Sequence, residues 1–158
     1  MPMGPKTHRY DATVTWTGNR GEGTADYRAY ARDHEVSGEG RPTLAGSADP
    51  AFRGDAARWN PEQMLVVSLS QCHLLWYLHL CAVSDVVVVA YEDHADGVME
   101  QDEDGGGHFT EVTLRPVVTV ADASMVDTAR GLHARARERC FVASSVNFPV
   151  RHEPEIRV

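Results

Sequence analysis

Apolar residues crowd most densely between Leu65 and Val83, broken only by Ser68, Ser70, Gln71, Cys72, His73 and a few later polar positions. Just before this run stand Asn60, Pro61 and Gln63. Asn is a favoured N-cap, Pro is harmless at the first helical position, and Gln three residues after the cap can return a hydrogen bond. The pattern predicts a helix from about Pro61 to Val83. A helix apolar on nearly all sides must be surrounded by protein. A chain of 158 residues has little material to do this alone, so a partner subunit is expected. The run is also long enough to raise a membrane span, but its internal polar residues and lack of basic flanks favour a core helix.

Elsewhere the period is two. Tyr10, Ala12, Val14 and Trp16 alternate with Asp11, Thr13 and Thr15, which predicts a half-buried strand. A turn at Gly18-Asn19-Arg20-Gly21 leads to a second strand expected around Thr24 to Val36. Residues 37–59 are rich in Gly, Pro, Ser and Asp, with a short strand expected near Thr43 to Ala45 inside a long connection. After the helix, Val86 to Glu92 reads as a strand extending towards Met99, and Asp102 to Gly107 as an exposed hairpin tip. Phe109 to Val120 returns with Val112, Leu114, Val118 and Val120 on one face; Pro116 argues for a sheet edge or a bulge there. Ser124 is expected to cap a second helix whose apolar stripe is Met125, Ala129, Leu132, Ala136 and Cys140. Arginines gather near its end, where the helix dipole favours cations. Asn147 to Val158 is expected to close the fold as a strand. Hairpin-joined strands with segregated helices imply an α+β class of antiparallel sheets, and residues 1–158 read as a single domain.

Composition narrows the function. The formal charge of −8 and the absence of a long basic run argue against nucleic acid as a partner. Met1-Pro2-Met3-Gly4-Pro5-Lys6 leads into polar residues rather than an apolar leader. Three cysteines without paired spacing suit a reducing cytoplasm. Cys72 and Cys81 lie nine residues apart on one helix, about 13 Å and on opposite faces, so they cannot bond to each other. A buried Cys is more often a small hydrophobe than a reactive group. Two half-buried thiols on two helices, Cys72 and Cys140, change that balance, because packed helices would let them meet. A reactive thiol needs a cation to offset burial. Arg53 and Arg58 before the helix, and Arg20 in the first turn, are the candidates.

The segment Asn60-Pro61-Glu62-Gln63, with Cys72 ten residues after Glu62, resembles the NPE…C signature of the OsmC/Ohr family, the osmotically inducible and organic hydroperoxide resistance proteins. Cys140-Phe141-Val142-Ala143-Ser144-Ser145 through Val150 is similar to that family's second motif, a Cys followed by a short connection into the last strand. The resemblance implies an OsmC-like fold with its first helix central and buried in an intertwined homodimer. It further implies a thiol-dependent peroxidase that reduces organic hydroperoxides. Carried onto this chain, Cys72 would be the peroxidatic thiol and Cys140 the resolving one, with a dithiol such as a lipoyl group as reductant. Glu62 would hold an arginine by a bidentate pair. Arg53 matches the OsmC placement of that arginine, and Arg20 the Ohr placement.

Spacing adds an independent point. Ten helical residues span about 15 Å, so Glu62 cannot sit beside Cys72 of its own helix. An antiparallel second copy across a two-fold axis would bring them together, which again implies a homodimer with shared sites. His73 departs from the family pattern. Since it points about 100° away from Cys72, it is expected to satisfy its hydrogen bond elsewhere. Trp76 is assigned to core packing, with a pocket-lining role as the alternative, and Cys81 to the passive core. Two competing functions remain. A zinc centre from Cys72, His73, His79, Cys140 and His94 or His108 is disfavoured, because His73 and His79 lie about 240° apart around the helix. A non-catalytic OsmC-like protein could bind a small hydrophobic ligand in the dimer cleft. No metal or other cofactor is expected.

Overall fold

The computed structural model describes residues 3–158. These form two compact units, one ending at Met64 and the other running Leu65–Val158. The element order is β1 (Thr13–Trp16), β2 (His34–Ser37), β3 (Leu44–Gly46), α1 (Pro61–Val83), β4 (Val88–Asp93), β5 (Asp96–Gln101), β6 (Gly107–Leu114), β7 (Pro116–Val120), α2 (Val126–Arg139), β8 (Val150–His152) and β9 (Glu155–Arg157). The class is α+β, as the hairpin-joined strands and segregated helices predicted.

In the first unit β1, β2 and β3 make an antiparallel sheet. The expected half-burial of β1 is not met within the chain. Val14 is 66% and Trp16 43% exposed, because no second layer of this unit covers that strand. The long second strand shrinks to His34–Ser37. The residues before it turn instead, since Asn19 Oδ1 accepts from the N–H groups of Gly21 and Gly23 at 2.9 and 3.0 Å. Arg32 stacks on Tyr30 and Tyr27 while donating to both of their carbonyls. Those side chain-to-backbone bonds compete with a sheet ladder and win. The connection into α1 is tied by the Gly46–Trp59 bridge and by buried Ser47, whose hydroxyl donates to Asp33 and accepts from the Asp55 N–H.

α1 begins as its sequence predicts. Asn60 Oδ1 accepts from Gln63 N–H at 2.8 Å and Gln63 Oε1 from Asn60 N–H at 3.0 Å, a reciprocal capping box. The helix stops where Asp85 takes a left-handed conformation (φ 58°), letting Val86 N–H reach the Cys81 carbonyl. Its buried residues are Leu69, His73, Tyr77, Leu80 and Cys81, one stripe at helical spacing. Leu75 and Val83 are 66% and 65% exposed. The chain therefore covers one side of this apolar helix and leaves the other open.

Two sheets build the second unit, in orders β4-β7-β9 and β5-β6-β8. The hairpin pairs are antiparallel, but β8 joins β6 and β9 joins β7 in parallel. The single closing strand expected over Asn147–Val158 is thus two short ones. Pro154 has no N–H to donate, and the chain passes from one sheet to the other at that point. Pro116 is not at an edge either: it opens β7, the central strand of its sheet, at a first position where a missing donor is tolerated. The Val112, Leu114, Val118 and Val120 face is fully buried as predicted. Asp122 rather than Ser124 caps the turn that enters α2, accepting from the Ser124 N–H at 2.8 Å.

The interior carries an unusual polar pair. His73 Nε2 and His133 Nδ1 share a hydrogen bond of 2.9 Å, and Tyr77 stacks on the His133 ring at 3.9 Å. Both imidazoles are buried, and their outer nitrogens have no protein partner. Whichever ring donates across the pair, one buried N–H is left unpaired, at a cost of about 1–3 kcal/mol. Burial, helped by His152 and Arg137, pushes His73 down to about 4. Burial, then the charges of His73 and His152, pushes His133 down to about 3. The unfolded chain binds protons on these residues near pH 6.5, while the folded chain does so only well below. Their stabilisation is therefore full above about pH 6.5 and is lost as pH falls towards 4. Thermal unfolding should occur at least about 5 °C lower at pH 5 than at pH 7. Replacing both histidines (His73→Phe with His133→Leu) should flatten that dependence; an unchanged pH slope in the double variant would contradict this account.

Candidate active site

Cys72 sits three turns into α1, on the edge of its buried stripe. It is half-buried and packs against the cluster of Leu69, Val112, Leu114, Cys140, Ala143 and Val150. Cys140 ends α2 in extended conformation and is buried. A turn over Ala143–Ser145 holds it: its sulfur accepts from Ala143 N–H at 3.4 Å and its carbonyl from Ser144 N–H at 3.0 Å. The two thiols are unbonded neighbours. Burial, followed by the side-chain interaction with Cys72, pushes the Cys140 thiol up to about 11. At neutral pH Cys140 therefore keeps its proton beside the more open sulfur of Cys72. The pair is asymmetric in access, Cys72 half-buried and Cys140 buried.

The other site residues predicted from sequence lie in the first unit. Arg53 follows the turn Pro50–Phe52 in a left-handed conformation (φ 64°) and is exposed. Its guanidinium carbon lies 5.8 Å from the Tyr27 ring centroid, within cation–π range. Glu62 is half-buried in the first turn of α1. Neither Arg53 nor Glu62 makes an ion pair among the described residues, so the expected bidentate pair does not form inside this chain. Arg58 is committed elsewhere, 3.4 Å from Asp33 and 3.9 Å from Asp55. Arg20 is exposed in the first loop. Of the two arginines just before the NPE motif, Arg53 is thus the one without an ion pair among the described residues.

His73 turns into the core towards His133, away from any role as a Cys72 partner, as its angular offset predicted. Cys81 joins the opposite cluster with Tyr77 and Leu80, where burial raises its thiol. Among the described residues no group of three or more His, Cys, Asp and Glu side chains could hold a metal ion.

With this arrangement in view, the comparisons are decisive for family. The family model described as OsmC-like protein matches residues 54–155. The chain belongs to the OsmC-like family. An OsmC-like protein of unknown function from Vibrio cholerae is 30% identical, with 94% of this chain and 99% of that one aligned at a TM-score of 0.84. An organic hydroperoxide resistance protein OsmC from Legionella pneumophila shares the fold at 16% identity, covering 98% and 100% of the two chains at a TM-score of 0.68. An organic hydroperoxide resistance protein from Elizabethkingia anophelis does so at 16% identity, covering 96% and 99%, at 0.66. No curated protein matches. The OsmC-like α+β fold expected from the two Cys motifs is thereby established.

What sequence reasoning missed is an aromatic contact between α1 and the segment after α2. Trp76 and Phe141 meet edge to face at 5.5 Å, and Phe141 is 71% exposed. The available signal was an aromatic directly after Cys140 in a connection.

Access predicts reactivity. Brief iodoacetamide treatment of the native, reduced protein should alkylate Cys72 at least about ten times faster than Cys81 or Cys140, because exposure and thiolate character set the rate. Peptide mass mapping over time measures this; equal labelling of the three would show the asymmetry to be absent.

Proposed function

We propose that this OsmC-like protein is a thiol-dependent peroxidase acting on organic hydroperoxides. The observation that carries the reading is the Cys72–Cys140 pair, one sulfur accessible and the other buried and protonated at its side. The Cys72 thiolate would attack the distal oxygen of R–O–OH. The O–O bond breaks, the alkoxide takes a proton and leaves as the alcohol, and Cys72 becomes a sulfenic acid. Cys140 then attacks that sulfur. The S–S bond forms, and the hydroxyl leaves as water with the proton that Cys140 had retained. A dithiol reductant, such as a lipoyl group, takes the disulfide back to two thiols and is itself oxidised to a disulfide.

Arg53 would stabilise the thiolate and polarise the peroxide, with Glu62 orienting its guanidinium. What supports Arg53 is a guanidinium that no carboxylate among the described residues holds, whereas Arg58 is paired with Asp33. What supports a homodimer with sites shared between copies is the uncovered apolar side of α1, with Leu75, Leu78 and Val83 open in a single chain. The same helix separates Glu62 from Cys72 by about 15 Å. Sedimentation should give twice the mass of one chain; a monomer fully active at micromolar concentration would contradict sharing.

Stopped-flow kinetics test the chemistry. Cys72→Ser should abolish hydroperoxide consumption. Cys140→Ser should allow one rapid oxidation per chain and no turnover with a dithiol. Normal turnover by Cys72→Ser, or wild-type protein that keeps all its thiols in excess hydroperoxide, would overturn the peroxidase reading in favour of a binding role.

A further inference from the structure

Arg53 stands on a turn whose backbone is fixed. Asp49 Oδ1 accepts from the Ala51 N–H at 2.8 Å, and the Asp49 carbonyl accepts from the N–H groups of Phe52 and Gly54 at 2.8 and 3.0 Å. Arg53 closes this turn in a left-handed conformation (φ 64°), uncommon for a residue with a Cβ. Glycine would adopt it without strain, and residues held this way cluster at functional sites. The turn sets where the Arg53 side chain starts, and its flexible torsions decide where the guanidinium ends. One ring limits them: the guanidinium carbon lies 5.8 Å from the Tyr27 centroid.

That ring is itself held. Arg32 lies over it at 4.6 Å and over Tyr30 at 3.8 Å. Arg32 Nη2 donates to the Tyr27 carbonyl at 2.7 Å and Nη1 to the Tyr30 carbonyl at 2.6 Å. Tyr30 meets Trp16 of β1 edge to face at 5.9 Å, and the Trp16 indole N–H donates to the Ala31 carbonyl at 2.9 Å. A line of contacts thus runs from β1 to Arg53. The loop does not need the Tyr27 ring to stay closed, because Arg32 ties it through backbone carbonyls that any residue 27 would offer. The ring is also 61% exposed, so little core burial explains it.

We propose that Tyr27 is a positioning residue for Arg53, its ring seated on Arg32 and holding the guanidinium ready for the Cys72 thiolate and the peroxide. This rests on the peroxidase reading and adds a residue that acts through the arginine of that reading. A ring face attracts a cation through its quadrupole but offers no acceptor oxygen. A carboxylate in the same place would bind the guanidinium more strongly and occupy its donors. Tyr27 instead orders Arg53 and leaves its N–H groups and its charge for Glu62 and an anionic sulfur.

The test is a double-mutant cycle read by stopped flow, as the single oxidation of Cys72 by cumene hydroperoxide in a Cys140→Ser background. Tyr27→Leu keeps the bulk and loses the ring face; it should slow that oxidation at least about fivefold, since a misplaced catalytic group is costly. Tyr27→Phe keeps the ring face and should stay within about twofold. With Arg53→Ala in place, itself slow, Tyr27→Leu should add less than about twofold, because residues acting through one contact are not additive. Slowing by Tyr27→Leu that is as large without Arg53, or that Tyr27→Phe shares, would show that the side chain merely holds the loop and would overturn the assignment. So would an unslowed Tyr27→Leu. An unslowed Arg53→Ala also overturns it, while leaving the thiol chemistry of the peroxidase reading intact. Protein with both cysteines that is inert to the hydroperoxide removes both.

Discussion

The meeting of one sulfur on α1 with another at the end of α2 is the constraint on which this structure turns. Sulfurs 68 positions apart in sequence become neighbours only because both helices pack against the same strands. Cys72 leans on a cluster that contains Val112 and Leu114 of β6 and Val150 of β8. Cys140 lies inside that cluster, its sulfur held by the backbone of the turn over Ala143–Ser145. Moving either helix by a fraction of a turn would separate them. The rest of the second unit can be understood as the packing that prevents this.

That packing is partly polar, which is costly and specific. Tyr77 of α1 donates to the Ala129 carbonyl of α2 at 2.8 Å, and His73 pairs with His133 between the same helices. Two apolar side chains would fill the space with no unpaired nitrogen. The polar pair instead fixes the rotation of α1 about its axis, because a hydrogen bond has a direction and a methyl contact does not. With His73 locked inward, Cys72 one residue earlier is turned towards the β6–β8 side.

Much of this was legible in the chain. The Asn60–Gln63 box and the apolar run gave α1 its observed limits, Pro61–Val83. The period-two faces of β6 and β7, the hairpin tip after Gln101 and the Ala129–Leu132–Ala136 stripe all appear as expected. Failures came where side chains bond to backbone or where pairing partners are distant. Tyr27, Tyr30 and Arg32 look like strand residues but lock a loop by stacking and carbonyl bonds. Asp122 took the cap expected of Ser124 because its carboxylate reaches the Ser124 N–H. Pro116 tolerates a central strand because it comes first in it. At the site, the two cysteines came from spacing and family resemblance. The His73–His133 bond has no local signature, since it joins residues 60 positions apart.

The central claim is that Cys72 and Cys140 are partners in one redox cycle. Its most direct measurement is peptide mapping of the reduced protein after one equivalent of an organic hydroperoxide per chain, under non-reducing digestion. The account predicts an intrachain cross-link between the Cys72 and Cys140 peptides, two hydrogens lighter than the separate thiols, with Cys81 unmodified. Recovery of Cys72 as a sulfinic acid beside an untouched Cys140 thiol, or of both cysteines unchanged, would contradict it.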